Sequence, residues 1–310
     1  MSAGQRFPHK LLVVAGFPRT GTTSIYYNFD RHPSFLTSRH KELNFFCGTG
    51  PLLVRDYERL FGSGVDGRIR VDASPFYSLA PEVPERIKEF APDAFVLLAL
   101  RPPEQWIRSI YHQISKRTAI AFEDFLANPV LEGYGAAVSF TPGARVYEES
   151  VRRFARVFGK RLMILDFRSF VSDPLAALNA IEDFCGTPRY FDAKTADTGK
   201  NNVSEPRGTL FRWISTAASK PLAMRLLSRL PRSLIRRAQK IAYGKSAVKN
   251  DVSVATGACL PLPPDLLTAE ADFYAALFRE RSFVTGTEFL ERAELGIYGS
   301  QTAKPNPVLP

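Results

Sequence analysis

Residues 16 to 23 read Gly-Phe-Pro-Arg-Thr-Gly-Thr-Thr, the phosphate-cradling pattern G-x-x-x-x-G-K-[ST] with Thr22 standing where the lysine belongs. In that pattern the lysine reaches the outer phosphates of a nucleoside triphosphate, while backbone N–H groups hold the rest. A loop that keeps both glycines and loses the lysine fits a phosphate that is not the end of a triphosphate.

Such a loop works only between a buried strand and the start of a helix, because free amide N–H groups must point at the anion. The flanking sequence supplies both. Lys10 to Gly16 (KLLVVAG) is a continuous apolar run ended by glycine, as a buried parallel strand is. TTSIYYNFDRH then predicts a helix with Thr22 or Thr23 in its first turn and a stop at Pro33. Further strands are expected at Ala94 to Leu100 (AFVLLAL) and Arg161 to Phe167 (RLMILDF), with a weaker one from Arg68 to Ser74. PEVPERIKEF and ARVYEESVRRFARVF precede the two stronger strands as helical patterns. DPLAALNAIEDFCG predicts another helix, with Asp173 as N-cap, Pro174 in the first turn and Gly186 as C-cap. The expected class is therefore α/β: a P-loop-like three-layer α/β/α arrangement with a central parallel sheet. A polar stretch from Thr187 to Pro206 reads as a surface loop, and PDLLTAEADFYAALFRERS as a final helix. One domain is expected over residues 1–300, with a disordered tail at 301–310.

The net charge of +10 is unevenly placed. Eleven of the 41 basic residues lie between Glu205 and Asp251, where no acidic residue occurs, so the rest of the chain is close to neutral. This segment, residues 207–250, is expected to form a basic helical C-terminal appendage divided at Pro231. Leucines and isoleucines alternate there with arginines at helical spacing, which suits an anionic membrane surface, a polyanionic saccharide, or ordinary amphipathic helices with solvated arginines. Aromatic interleaving is sparse, so no nucleic-acid partner is expected. Three widely spaced cysteines indicate neither a disulfide framework nor a zinc site, and Cys185 reads as a core residue. No run approaches the roughly 20 apolar residues of a membrane span, and the start MSAGQRFPHK lacks a secretory stretch. A cytoplasmic protein is the expectation, with the basic segment offering a peripheral contact to the inner membrane face.

Four segments in order carry a family resemblance: GFPRTGTT after a strand, HKELNFF at 40–46, VDASPFY at 71–77 and LRPPEQWIRSIYH at 100–112. Together they resemble the PAPS-dependent sulfotransferases, in the branch of bacterial and heparan-sulfate-type enzymes, over about residues 10 to 210. The resemblance implies that the first loop, through Arg19, Thr20, Gly21, Thr22 and Thr23, binds the 5′-phosphosulfate of 3′-phosphoadenosine 5′-phosphosulfate (PAPS). That donor has no outer phosphates for a Walker lysine to reach, and no metal is expected to be required. Arg19 takes the place of the family's loop cation, often lysine, and stays charged throughout. By the same resemblance Arg101 and Ser109 bind the 3′-phosphate. Their placement agrees: Arg101 follows a strand at the edge where open sheets take ligands, and Ser109 lies two helical turns on.

The resemblance also supplies a base. Lys41-Glu42-Leu43-Asn44-Phe45-Phe46 matches a K-E-x-x-F-F-like segment, which makes Glu42 the general base and puts Lys41 beside the acceptor or sulfuryl oxygens. Leu43 stands where proline is frequent and Asn44 where histidine is. His40 and His112 are rival bases, since other sulfotransferases use histidine, and Asp72 is a candidate for orienting a catalytic group. The late loop Gly199 to Arg207 is a candidate cover for the nucleotide through Lys200 and Arg207. The implied reaction carries the sulfuryl group to a hydroxyl acceptor, of a saccharide or glycolipid, and leaves adenosine 3′,5′-bisphosphate (PAP). Two other readings stand beside it. One is a small-molecule kinase with an altered P-loop, for which Asp166 is the only magnesium-binding candidate. The other is a non-catalytic membrane-surface protein, which losing Arg19 or Arg101 would have favoured.

Overall fold

The computed structural model describes residues 6–39, 41–48, 53–61, 67–115, 118–133, 136–197 and 261–298. In chain order the elements are β1 (Leu11–Val14), α1 (Thr22–Phe29), β2 (Phe35–Thr37), α2 (Val54–Arg59), β3 (Ile69–Ala73), α3 (Val83–Phe90), β4 (Phe95–Leu100) and α4 (Pro103–Ser115). Then follow α5 (Phe122–Ala127), β5 (Val130–Gly133), β6 (Ala136–Ser139), α6 (Val146–Phe158), β7 (Leu162–Asp166), α7 (Phe167–Ser172) and α8 (Pro174–Cys185). After residue 260 come α9 (Thr268–Leu277), β8 (Phe283–Thr285) and α10 (Gly286–Glu294). Short 3-10 turns occupy Phe45–Cys47 and Pro75–Ser78.

One sheet runs in the order β2-β3-β1-β4-β7-β8. Its first five strands are parallel, and β1 at the centre pairs Val13 with Asp72 on β3 and with Val96 on β4. Every side chain of β1 is buried, and its alternation feeds two cores. Leu11 and Val13 join Val83, Ile87 and Phe90 of α3, Ile107 and Ile110 of α4, and Val151 and Phe154 of α6. Leu12 and Val14 join Ile25 and Phe29 of α1 and Leu178, Ile181 and Cys185 of α8. Helices therefore cover both faces, as the apolar runs predict, and each large aliphatic side chain so withdrawn contributes about 1.5–3 kcal/mol. Cys185 is the core residue expected of it, and burial pushes its thiol upward.

The central parallel sheet carries one antiparallel strand at its edge. β8 pairs antiparallel with β7, Ile164 opposite Val284. The last predicted helix is accordingly shorter: α9 ends at Leu277, and the residues after Arg281 pair with the sheet instead. α8 follows its sequence signals closely. Asp173 accepts from the N–H of Ala176 at 2.9 Å, Pro174 opens the helix, and Gly186 closes it at φ 66°. No helix among the described residues is long and apolar enough to cross a membrane. The basic segment 207–250, the late-loop residues Lys200 and Arg207, His40 and the tail from 301 lie outside the described residues.

Candidate active site

The parallel strands β2, β3, β1 and β4 are neighbours, so the segments leaving their carboxyl ends lie side by side along one edge of the sheet. Those segments are the four singled out in the sequence. The Lys41–Glu42 turn follows β2, Ser74 follows β3, the Gly16–Thr23 loop follows β1, and Arg101 follows β4.

The β1 loop is held tightly. The N–H of Phe17 donates to the carbonyl of Ala99 at 3.1 Å, and the Thr20 hydroxyl donates back to the carbonyl of Phe17 at 2.5 Å. The indole N–H of Trp106 on α4 donates to the carbonyl of Pro18 at 3.1 Å. Gly21 sits at φ 80° immediately before α1, and Arg19 at φ 70°. α1 has no side-chain cap and no acidic residue in its first turn, so no first-turn carboxylate competes with an anion for the amides of Thr22 and Thr23. A β-carbon on Gly21 would lie 2.9 Å from the Phe167 ring. Gly21→Ala is expected to lower stability by about 1–3 kcal/mol through the left-handed penalty and this clash. Urea unfolding measures that loss, and the same variant should bind phosphate-bearing ligands more weakly.

Around the loop the predicted cations converge. The Arg19 Nε donates to the hydroxyl of Ser109 on α4 at 3.1 Å. An Arg101 terminal nitrogen donates to the carbonyl of Arg19 at 3.4 Å, and its guanidinium carbon lies 5.2 Å from the Phe167 ring centre. The Arg101 Nε is buried without a hydrogen-bond partner, and burial lowers the affinity of this group for its proton. A buried guanidinium with an unused donor fits an anionic ligand.

Sequence reasoning missed the supports of this arginine. The Tyr147 hydroxyl donates to the Arg101 carbonyl at 2.8 Å, and the Tyr147 N–H donates to Glu270 of α9 at 3.2 Å. Burial pushes the Glu270 carboxyl up to about 7. Both partners are remote in sequence, and only the packing of α6 and α9 brings them in.

On the other side, the N–H of Glu42 donates to the carbonyl of Ala73 at 3.1 Å, which ties the turn to the end of β3. Lys41 Nζ pairs with Glu42 Oε1 at 2.9 Å; the lysine side chain is 10% exposed and the glutamate 27%. The pair is sheltered yet open to one side, as a base meeting an incoming hydroxyl requires. Glu42 has φ 64° and Asn44 φ 46°. With Arg19 they are three of the five residues other than glycine at positive φ among the described residues, so backbone strain gathers at this edge. Asparagine tolerates that region better than most residues, which gives Asn44 a conformational reason.

Asp72 is fully buried beside the turn and accepts from the hydroxyls of Ser74 (2.7 Å), Tyr77 (2.8 Å) and Tyr57 (3.0 Å). Burial pushes its carboxyl up to about 6, against the pull of those three hydroxyls and of the nearby Lys41 charge. His112 is exposed on α4, one turn beyond Ser109. Asp166, the carboxylate a kinase reading needs, is committed elsewhere. It caps α7 through the Arg168 N–H at 2.8 Å, pairs with the Arg168 guanidinium at 3.0 Å, and accepts from the Tyr274 hydroxyl.

Comparison with known proteins gives a consistent set. No family model matches the chain. It is similar to the human heparan sulfate glucosamine 3-O-sulfotransferase 6, 25% identical over 244 residues, which cover 76% of this chain and 69% of that protein. It is also similar to the human heparan sulfate glucosamine 3-O-sulfotransferase 3B1, 24% identical over 196 residues, covering 62% of this chain but 50% of that one. Among solved structures it is similar to a sulfotransferase from Alicyclobacillus acidocaldarius, at 23% identity and TM-score 0.49 over 74% of this chain and 99% of the other.

Proposed function

We propose that the chain is a PAPS-dependent sulfotransferase, a reading supported by its similarity to heparan sulfate glucosamine 3-O-sulfotransferases, and that it moves a sulfuryl group from PAPS to a saccharide hydroxyl, with Glu42 as general base. The observation that carries this reading is the joint placement of two groups along the same carboxyl edge of the sheet. One is the anion-binding cluster of Arg19, Arg101 and Ser109, and the other is the Lys41–Glu42 pair. The residues present fit the donor. The β1 loop and the first turn of α1 offer amides to the 5′-phosphosulfate, and Arg101 offers its unused Nε to the 3′-phosphate.

In this reaction the acceptor oxygen attacks sulfur as the bond from sulfur to the bridging phosphate oxygen breaks. The leaving electron pair stays on that phosphate, which departs as PAP. Glu42 takes the hydroxyl proton as the new bond forms. Arg19 faces the charge growing on the leaving phosphate, and Lys41 that of the sulfuryl oxygens. Little covalent work falls to the protein, so positioning and charge stabilisation supply most of the rate. The saccharide acceptor rests on the relatives, whose names specify heparan sulfate glucosamine. Lys200 and Arg207 are proposed to cover the nucleotide, and residues 207–250 to contact a polyanionic or lipid-linked acceptor.

A thermal-shift titration with PAP and with ATP, each with and without magnesium, tests the donor site. Magnesium-independent stabilisation by PAP is expected, at about 2.7 kcal/mol when ligand stands a hundredfold above its Kd. Stabilisation by magnesium–ATP alone would overturn the reading in favour of a kinase. Transfer from labelled PAPS to a heparan-sulfate oligosaccharide then tests the acceptor class.

A further inference from the structure

Asp72 accepts from three hydroxyls, and these partners are not equivalent. The Ser74 hydroxyl donates to Asp72 and accepts from the N–H of Asn44 at 3.1 Å. The Tyr77 hydroxyl donates to Asp72 and accepts from the N–H of Phe46 at 3.3 Å. The Tyr57 hydroxyl donates to the same carboxylate but joins it from α2. A hydroxyl has one proton to give, so an ionised carboxylate, which only accepts, fixes which way each hydroxyl points. With their protons turned toward Asp72, Ser74 and Tyr77 present lone pairs to the two backbone N–H groups. The segment thus gripped is the one that carries Glu42 and Asn44 at positive φ, a conformation that persists only where surroundings enforce it.

We propose that Asp72 is a positioning residue for Glu42, acting through the Ser74 and Tyr77 hydroxyls to lock the backbone of residues 42–46 in its left-handed turn. This inference rests on the general-base reading of Glu42. An amide in place of the carboxylate would break the relay, because its NH2 group must donate toward a hydroxyl and turn that hydroxyl's proton onto a backbone N–H. The low dielectric of a fully buried site makes that reversal costly.

The three hydroxyls provide an internal control, since each removes one hydrogen bond from one buried carboxylate. Ser74→Ala and Tyr77→Phe are expected to lower kcat about 10- to 100-fold with PAP affinity unchanged, the cost of a displaced catalytic group. Tyr57→Phe should lose comparable stability and keep kcat within about twofold, because its hydroxyl lies outside the relay. Amide hydrogen exchange gives a readout independent of turnover: Asn44 should lose protection in Ser74→Ala and Phe46 in Tyr77→Phe, and neither in Tyr57→Phe. Equal loss of kcat in all three variants would reduce Asp72 to a general core support and overturn the proposal. So would full activity in Ser74→Ala and Tyr77→Phe while Glu42→Gln is inactive, a result that leaves Glu42 as base. Full activity in Glu42→Gln would remove both the base and the relay.

Discussion

Glu42→Gln is expected to lower kcat for sulfuryl transfer by about 10²–10⁴-fold, the usual worth of a positioned acid or base, while leaving PAP affinity unchanged. The amide keeps the shape of the side chain and its place beside Lys41 but cannot take a proton. Its turn is tied to Ala73, whereas the Arg19, Arg101 and Ser109 cluster proposed to bind the nucleotide hangs on β1, β4 and α4, so the two proposed functions are carried by different elements. Steady-state kinetics with labelled PAPS, paired with PAP calorimetry, checks both halves. A variant that transfers within threefold of the native rate would move the base elsewhere, and His112, exposed one turn beyond Ser109, would be next to substitute.

Arg19→Ala carries the second large effect. Arg19 is the cation of the β1 loop, anchored through Nε to Ser109 and through its carbonyl to Arg101, which holds its charge beside the start of α1. Removing one such stabiliser of developing charge costs about 10²–10³ in rate. Arg19→Lys should recover much of it, since a point charge at the same place still faces the leaving phosphate. Single-turnover measurements at saturating PAPS isolate the chemical step. Equal rates in the alanine and lysine variants would show that the charge at position 19 is not what matters.

Much of this site was readable from the chain because its logic is local. The apolar run Leu11–Val14, two glycines and a threonine-led helix specify a strand, a turn and an anion-facing helix start within some twenty residues. Asp173, Pro174 and Gly186 announce α8 in the same way. The missed parts are short or distant. β2 and β8 have three residues each, too few to show a period, and the antiparallel direction of β8 depends on packing rather than pattern. Tyr147 and Glu270 support Arg101 from positions that no spacing rule links to it. Glu42 is a candidate through its neighbours Lys41, Phe45 and Phe46, but its positive φ has no signature in a residue type that rarely adopts it.

The antiparallel strand β8 has a bearing on self-association. β7 reads Leu-Met-Ile-Leu-Asp, wholly buried, and its outer side is closed by three residues of β8 and by the N–H of Asp166 donating to the carbonyl of Ser282 at 2.9 Å. A chain cut short before residue 261 would keep all five parallel strands and every predicted catalytic residue among those described, yet it would leave this apolar strand with a row of open amides and carbonyls. Such an edge is a template on which another copy can add a strand. The late stretch 261–298 therefore replaces a five-residue buried edge with one of three residues, a smaller template for pairing, and does so separately from its indirect support of Arg101.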